Sequence, residues 1–332
     1  MKTTARFLAA LALFAASINP SWAQTLQKIK IHHYPGALIS IVAYIGVEQK
    51  IFQRHGIDAE LVGIATGPDA LTALLSSGVD VMLNSGDNLM RAIEKGSPDM
   101  KVVVGSSKQM PFSVVVRNDV PIETGTQAQI MKGLAGKKLG VIQRGASTDI
   151  IFRSLFTSAG LNPDDATWIA VGGVGTAIPA LQNKVIDAYL AFEPFQTITV
   201  SQTKAARIAL DLRTGQAGSG FADFPYNFYI ARGEDLKSRP ELMRRLVNAF
   251  TEAHAYMQNP ANLESVVEGG AKYIKMERPL LRQMVIDNLG TFGASVSDAA
   301  MQKWIVFGRQ SLGIKREFTP ADLLAKGVVP QR

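Results

Sequence analysis

Segments with the periods of strands and of helices alternate along the chain, and this alternation constrains the fold more than any other feature. Alternating apolar residues in Ile29–Pro35 predict a strand, and apolar residues at helical spacing in Ile39–Phe52 predict the helix that follows. The same order repeats as far as a strand at Lys101–Gly105. Strands that alternate with helices are typical of β-α-β units, so the pattern predicts an α/β fold built on a parallel sheet.

A second α/β run follows and predicts a second lobe. It begins with a strand in Pro111–Val116, and Tyr226–Ala231 predicts a strand that returns to the first lobe. Two crossings between the lobes are therefore expected. After Arg239, apolar residues three or four positions apart predict helices that extend the first lobe. The predicted boundaries are residues 24–112 and 226–332 for lobe 1 and residues 113–225 for lobe 2.

Composition supports a folded protein and excludes several classes of site. Of the 332 residues, 47% are hydrophobic and 19% are charged, whereas disordered chains are poorer in apolar residues. The chain has no cysteine, which excludes disulfides, zinc–cysteine sites, a cysteine nucleophile and the lipid anchor of a bacterial lipoprotein. Although the net charge is +7, the basic residues are scattered, so we expect no nucleic-acid partner.

The N-terminal residues contain the three parts of a secretory signal peptide in the right order. Lys2 and Arg6 form a basic region, Phe7–Ile18 is an apolar run, and Ala23 ends a small-x-Ala cleavage site. The apolar run is too short to span a membrane, which takes about 20 residues. We therefore predict that residues 1–23 are a cleaved signal peptide and that the mature protein is periplasmic, without a lipid anchor.

Four short polar loops follow predicted strands and precede predicted helices. In open α/β sheets, ligands bind at the carboxyl ends of the strands, where a helix N-terminus offers free N–H groups to an anion. Helix capping is the simpler explanation of any single loop, but four loops on two lobes indicate a cleft. The loops are Thr66-Gly67-Pro68-Asp69, Ser85-Gly86-Asp87-Asn88, Gly145-Ala146-Ser147-Thr148-Asp149 and Gly172-Gly173-Val174-Gly175-Thr176.

Two carboxylates bear on the chemistry of such a cleft. Glu193 follows a predicted strand and either accepts a hydrogen bond from a ligand or ties the hinge together. Asp87 opposes an anion unless it meets a hydrogen-bond donor. His32 and His33 are neighbours in a strand, so at most one of them faces a ligand. Aromatic residues near the predicted crossings flank a ligand or pack in the hinge: Tyr34, Phe112, Phe192, Phe195, Phe224 and Tyr226.

Motifs of catalysis and of cofactor binding are absent from the sequence. It contains no Gly-x-Gly-x-x-Gly or phosphate-loop spacing, no His-Glu-x-x-His and no Gly-x-Ser-x-Gly. No nucleophile, base and orienting residue can be assembled from the spacing of the remaining candidates. We therefore expect no cofactor, no metal and no catalytic residue.

Several stretches between residues 29 and 195 carry a family resemblance. They are GVEQKIFQRHGI (46–57), ALTALLSSGVD (70–80), LAGKKLGV (134–141), GLNPDD (160–165), PALQNKVIDA (179–188) and EPF (193–195). Together they resemble the periplasmic substrate-binding proteins of ABC importers in the nitrate, sulfonate and taurine group. That group also includes binders of thiamine-pyrimidine precursors.

The resemblance implies a type II-like periplasmic-binding-protein fold. Its two α/β lobes are joined by a two-segment hinge, carry extra C-terminal helices, and close on a small molecule. It also implies a monomer, no cofactor, and a transient partner in the permease of the importer. The ligand-contacting positions of the family correspond here to Tyr34, Thr66, Gly67, Ser85, Gly86, Gly145, Ala146, Ser147, Thr148, Gly173 and Val174. Asp87 and Glu193 complete the predicted site.

We expect an organic anion, a sulfonate or a carboxylate, seated by Ser147 and Thr148 with its organic part against the aromatic residues. If Asp87 and Glu193 both point into the cleft, a neutral or cationic heterocycle such as a thiamine-pyrimidine precursor becomes the alternative. The yeast-type thiamine-pyrimidine synthases share the fold and are enzymes. They carry a cysteine-rich motif that this chain lacks, so we expect binding and no catalysis.

Overall fold

Two five-stranded sheets organise the chain in the computed structural model, which describes residues 25–97, 99–215, 221 and 223–328. The predicted signal peptide lies outside the described residues. The first sheet contains β1 (Gln27–His33), β2 (Ile57–Gly63), β3 (Val81–Ser85), β4 (Met100–Gly105) and β10 (Asn227–Arg232). The second contains β5 (Ser113–Arg117), β6 (Lys138–Val141), β7 (Thr167–Ala170), β8 (Ala188–Ala191) and β9 (Ala206–Asp211).

Helices connect the strands and cover the sheets. In the first half of the chain they are α1 (Ile41–Glu48), α2 (Ile51–Arg54), α3 (Gly67–Leu75), α4 (Gly86–Glu94), α5 (Gln127–Leu134), α6 (Ser147–Ser158) and α7 (Val174–Gln182). In the C-terminal part they are α8 (Gly233–Ser238), α9 (Pro240–Gln258), α10 (Leu263–Ala271), α11 (Arg278–Asn288), α12 (Asp298–Leu312) and α13 (Pro320–Leu323). The predicted two-lobed α/β fold with C-terminal helices is confirmed. We call each sheet with its helices a lobe.

Both sheets contain the predicted parallel strands, and each also has antiparallel pairs, so both are mixed. The strand orders are β2-β1-β3-β10-β4 and β7-β6-β8-β5-β9. In the first sheet β1 runs parallel to β2 and β3, whereas β10 is antiparallel to β3 and β4. In the second, β6 is parallel to β7 and β8, whereas β5 is antiparallel to β8 and β9. The antiparallel strands are β5 and β10, and each enters its sheet directly from the other lobe. Parallel neighbours need a crossover connection, usually a helix, and these two strands have none among the described residues.

The helix predicted over residues 39–52 is two helices, α1 and α2. Lys50 between them has φ 55°, a left-handed conformation that ends α1. The bend brings the ring of Phe52 onto Gly46, where a Cβ atom would lie 2.3 Å from that ring. The side chains of α1 from Ile41 to Ile45 are all buried, because α9 and α10 cover the face that the sheet leaves free.

The two crossing segments pair with each other between the lobes. The backbone N–H groups of Ser106 and Ser107 both donate to the carbonyl of Asn227, at 3.0 and 3.2 Å. Tyr226 returns a hydrogen bond to the Ser107 carbonyl at 3.1 Å. The rings of Phe112 and Tyr226 then meet edge to face with 4.7 Å between centroids. The hinge is therefore a short two-segment ribbon with an aromatic contact on its cleft side.

Candidate functional site

A small cavity lies where the N-termini of helices from both lobes face each other. The first lobe contributes the starts of α3, α4 and β10, and the second contributes the start of α6 and the end of β8. This is the edge at which the carboxyl ends of the parallel strands meet, as the loop pattern predicts. The lining residues are Tyr34, Ile39, Gly67, Asn88, Phe112, Ile142, Ala146, Ser147, Thr148, Phe192, Tyr226 and Asn227.

A buried hydrogen-bond network joins the lobes beside this cavity. The Ser147 hydroxyl at the start of α6 donates to the Asp87 carboxylate in the first turn of α4, 2.8 and 2.9 Å from its two oxygens. The Ser85 hydroxyl lies 2.9 Å from the same Ser147 oxygen. Asp87 is 1% exposed, so it is a buried carboxylate that depends on donors. The helix N-terminus at which it lies supplies part of the stabilisation of its charge.

Arg91 supplies the positive charge that balances Asp87. Its guanidinium donates to the Asp87 carboxylate at 3.2 Å and to Asn88 Oδ1 at 2.8 Å, one turn further along α4. The same guanidinium donates across the lobes to the Gly145 carbonyl at 2.9 Å. Asp87 and Arg91 therefore form an electrically neutral pair. Four residues of the first lobe have hydrogen bonds to Ser147 or Gly145 of the second: Ser85, Asp87, Asn88 and Arg91.

The N-terminus of α6 also presents backbone donors at the cavity. The N–H groups of Ser147 and Thr148 lie in its first turn, where no carbonyl of the same helix can accept from them. The Thr148 hydroxyl oxygen accepts from Ile142 N–H at 3.2 Å, and this bond holds the β6–α6 turn. An acceptor atom on a solute would therefore meet backbone N–H groups here, together with the positive end of the helix dipole.

Aromatic rings form the opposite wall and set the size of the cavity. Phe112 stands edge to face against Phe192, with 6.0 Å between ring centroids. The cavity has a volume of about 30 Å³, enough for one or a few waters at about 10–15 Å³ each. Tyr34 and Phe192 also line an adjoining pocket of about 240 Å³ on the side of Gly173 and Val174. The larger volume beside the aromatic wall therefore lies in this adjoining pocket.

The hydroxyls of Tyr34 and Tyr226 remain protonated at this site. Burial raises the pKa of each far above its ordinary value, and the negative charge of Asp87 raises both further. Both are thus neutral hydroxyl groups at physiological pH, able to donate or accept a hydrogen bond. Because the rings also form part of the apolar wall, each tyrosine offers a solute one apolar face and one polar group.

Not every residue predicted for the site reaches the cavity. Thr66 caps α3 instead, accepting from Asp69 N–H and donating to its carboxylate at 2.6 Å. Gly86 lies beneath the Trp304 ring, where a Cβ atom would be 2.5 Å from the indole. Glycine is therefore needed there for packing, whatever the solute.

Glu193 lies on the far side of the hinge from the cavity. Its carboxylate accepts from Thr197 N–H at 3.1 Å and pairs with Arg213 at 3.5 Å, in a separate polar pocket. Its own carbonyl accepts from Leu38 N–H of the first lobe at 3.0 Å. Burial raises the pKa of Glu193, and the hydrogen bonds from Thr197 and the charge of Arg213 oppose that rise. Of the two roles considered for Glu193, these contacts match the one that ties the hinge together.

The two neighbouring histidines are held by protein groups, and neither is among the residues that line the cavity. His32 is fully buried, and its Nε2 lies 3.0 Å from the Ile64 carbonyl. Tyr44 donates its hydroxyl to the Tyr34 carbonyl at 2.9 Å, so it accepts from His33 Nδ1 at 2.9 Å. Both rings support the strand that carries Tyr34.

Three polar residues of this region are not among the residues predicted for the site: Asn88, Arg91 and Asn227. Asn88 belongs to one of the four loops, and its amide reaches Asn84, Ser85 and Ser147. Arg91 is one helical turn beyond Asp87, a spacing that favours an ion pair and that could have identified it. Asn227 opens the return strand, and only the crossing of the chain at that point brings it to the cavity.

None of the helices that the structure describes has the length and apolar character needed to cross a lipid bilayer. Within the same described residues, histidine, aspartate and glutamate side chains form no group of three that could hold a metal ion.

Comparison with known proteins adds a family, two relatives and a structural neighbour. The model of the NMT1-like family matches residues 37–269. A Brucella abortus protein that bears the name of a binding protein is 27% identical over 252 residues, 75% of this chain and 71% of its own length. A 4-amino-5-hydroxymethyl-2-methylpyrimidine phosphate synthase of Saccharomyces cerevisiae is 27% identical over 224 residues, 65% of this chain and 63% of the synthase.

The structural neighbour is the periplasmic aliphatic sulphonate-binding protein SsuA of Escherichia coli. It superimposes with a TM-score of 0.69 and 18% sequence identity, covering 91% of this chain and 98% of that one. At this identity the match establishes a shared fold, which is the two-lobed architecture described above.

Proposed function

The chain belongs to the NMT1-like family, and from this membership and the two-lobed fold we propose that it is the solute-binding component of an ABC importer. It acts as a monomer in the periplasm after removal of residues 1–23, captures a small molecule between its lobes, and delivers it to the permease. The observation that carries this proposal is the cavity at the lobe interface, with polar groups from both lobes converging on it. A solute that contacts both lobes favours the closed form by its differential affinity for that form.

We infer that the solute is a small organic anion, a sulfonate or carboxylate, whose organic part meets the aromatic wall. The first-turn N–H groups of α6 provide donors for its charged end, together with the positive end of the helix dipole. Phe112, Phe192 and Tyr226 provide the apolar surface. The named ligand of the Escherichia coli neighbour, an aliphatic sulphonate, belongs to the same chemical class.

The alternative ligand is a neutral or cationic heterocycle such as a thiamine-pyrimidine precursor. The buried Asp87 carboxylate favours it, because a carboxylate at the lobe interface accepts hydrogen bonds from N–H groups. Glu193 adds nothing to this alternative, since its carboxylate lies in a separate pocket. The Saccharomyces cerevisiae relative bears the name of a pyrimidine phosphate synthase, and a pyrimidine belongs to the same class of heterocycle. We propose binding alone for this chain, since it has no cysteine for the cysteine-rich motif of such enzymes.

A thermal-shift screen of residues 24–332 tests the proposed function. The panel contains aliphatic and aromatic sulfonates, the matching carboxylates, nitrate and pyrimidines. A solute at a hundred times its Kd is expected to raise the free energy of unfolding by about 2.7 kcal/mol, which raises Tm measurably. Responses confined to sulfonates or carboxylates support the organic anion. Responses confined to pyrimidines support the heterocycle, and no response from any class contradicts the proposal.

Replacing Asp87 with Asn is expected to move affinity in opposite directions for the two ligand classes. The amide keeps the shape of the side chain and removes its negative charge, so an anion should bind about tenfold more tightly and a cation about tenfold more weakly. Isothermal titration with the responding solutes measures both. The control is Asp235→Asn, another buried carboxylate, which pairs with Arg232 and Arg239 beyond the opposite end of β10 and should leave affinity unchanged. A change in affinity that is the same for anions and cations would contradict a role of the Asp87 charge in selecting the solute.

A further inference from the structure

Asn227 is a buried amide at the cavity wall that the protein does not use to hold itself together. Its side chain is 1% exposed and lines the cavity between the lobes. Its Oδ1 is buried and accepts no hydrogen bond from any residue that the structure describes. More than nine-tenths of buried polar groups in native proteins have a partner, so an exception of this kind calls for a specific explanation.

The backbone of Asn227 is fixed even though its amide is not. Its carbonyl accepts from the N–H groups of Ser106 and Ser107 in the other crossing segment. In the first sheet it pairs with Ser85, two residues before Asp87. The amide is therefore held at a defined place beside the Asp87 network. Neighbouring Asn88 shows the contrast, since its Nδ2 and its Oδ1 both have protein partners.

Folding stability gives no reason to place asparagine at this position. Asparagine is depleted in strands, and burying an amide without a partner costs free energy that an apolar side chain of the same shape would not cost. A polar group that is unfavourable for folding and exposed to a ligand cavity is best explained by the ligand. The complement of a carboxamide oxygen is an N–H or O–H group.

We propose, on the basis of the solute-binding function, that Asn227 determines specificity by accepting a hydrogen bond from an N–H or O–H group of the solute. The solute is then an amino- or hydroxyl-substituted member of its class. Its donor meets Asn227 Oδ1, and its acceptor end meets the N–H groups of α6 across the cavity. The unsubstituted parent compound leaves the amide oxygen unpaired in a closed site and binds more weakly.

The test uses matched probes that differ only by an amino group: benzoate and the three aminobenzoates, benzenesulfonate and the three aminobenzenesulfonates, pyrimidine and 4-aminopyrimidine. Their Kd values are measured by isothermal titration for wild type and for Asn227→Leu. In wild type, at least one amino compound is expected to bind about tenfold more tightly than its parent. In N227L that ratio is expected to fall towards one, while the parent binds as before. A ratio that N227L keeps would overturn the proposal.

The Tm without solute provides a second readout, which separates a role in solute binding from a purely structural role of the Asn227 amide. N227L removes an unpaired buried amide, so its Tm without solute should equal or exceed that of wild type. Asn288→Leu is the control, because Asn288 is also buried but donates to the Met284 carbonyl at 2.8 Å, away from the cavity. N288L should lower Tm and leave the probe ratio unchanged.

Asn227→Ala repeats both measurements with a smaller side chain, in case leucine disturbs the packing of the cavity wall. A clear fall in ligand-free Tm for N227L and N227A alike would assign Asn227 a structural role and overturn the proposal. If no probe binds wild type at all, the proposed ligand classes fail. The ligand-free Tm values then decide the role of Asn227 by themselves, so the two failures are distinguishable.

Discussion

Lowering the pH from 7 to 4 is expected to reduce the free energy of unfolding by about 6 kcal/mol through two buried histidines, His32 and His254. Burial lowers the pKa of each from 6.5 to about 4. His254 resembles His32 in its contacts, since its Nε2 lies 3.2 Å from the Gly105 carbonyl and its Nδ1 has no partner among the described residues. Between about pH 6.5 and pH 4, each ring is therefore mostly neutral in the folded protein and mostly protonated in the unfolded chain.

The direction of the effect follows from where the proton binds more tightly. Below pH 6.5 the unfolded chain binds protons at these histidines, and the folded protein does not. The free energy of unfolding that they contribute above pH 6.5 is therefore lost as the pH falls towards 4. Each histidine contributes about 1.4 kcal/mol per pH unit in this window, and about 3 kcal/mol by pH 4. Burial also lowers the pKa of His33, which adds to the loss.

Urea unfolding at pH 7, 6 and 5 measures this slope. His32→Gln and His254→Gln keep an N–H donor near the position of Nε2 and remove the titrating ring. Each single variant should lose about half of the pH dependence between pH 6.5 and 5, and the double variant should lose most of it, whatever its stability at pH 7. A double variant with the slope of wild type would show that other groups cause the acid sensitivity.

The arrangement of elements was predictable because hydrophobic periodicity reports local structure. The strands predicted at residues 29–35, 101–105, 111–116 and 226–231 lie within two residues of β1, β4, β5 and β10. The directions of β5 and β10 were not predictable in the same way, since they depend on how the chain crosses between lobes. The start of α5 carries a local signal of another kind, because Thr126 and Gln129 form a capping box there.

The candidate site was predictable to the level of loops but not of side-chain roles. The loops of Ser85–Asn88 and Gly145–Asp149 follow the carboxyl ends of β3 and β6, and they meet because these ends of the two sheets face each other between the lobes. Which side chain faces the cavity depends on packing between lobes that no local pattern encodes. Glu193 follows a strand end as the others do, yet its carboxylate turns to Arg213. No motif in the sequence around Asn227 indicates a binding site, and Asn227 reaches the cavity because β10 returns to the first lobe at that point.

Replacing Ser147 with Ala is expected to weaken solute binding about tenfold to a hundredfold. The Ser147 hydroxyl is the group of the second lobe that donates to Asp87, and a hydrogen bond to a charged group contributes about 1.5–3 kcal/mol. Without it the buried carboxylate keeps Arg91 as its partner but loses its bond to the other lobe. The closed form is then less populated, and apparent affinity falls with the competent fraction.

Two measurements separate closure from contact with the solute. Small-angle X-ray scattering of the ligand-free protein should show a larger radius of gyration for S147A than for wild type, because the open form gains population. Ser154→Ala is the matched control on the same helix, since among the described residues its hydroxyl bonds to the Ile151 carbonyl within α6 and to no group of the other lobe. It should change neither the radius nor the affinity. Weaker binding by S147A with an unchanged radius would mean that Ser147 acts on the solute itself, and unchanged affinity would remove Ser147 from the site.

The double variant S147A/T148A is expected to lose stability as well as affinity. The Thr148 hydroxyl holds the β6–α6 turn, so its removal should lower Tm and weaken binding further than S147A alone.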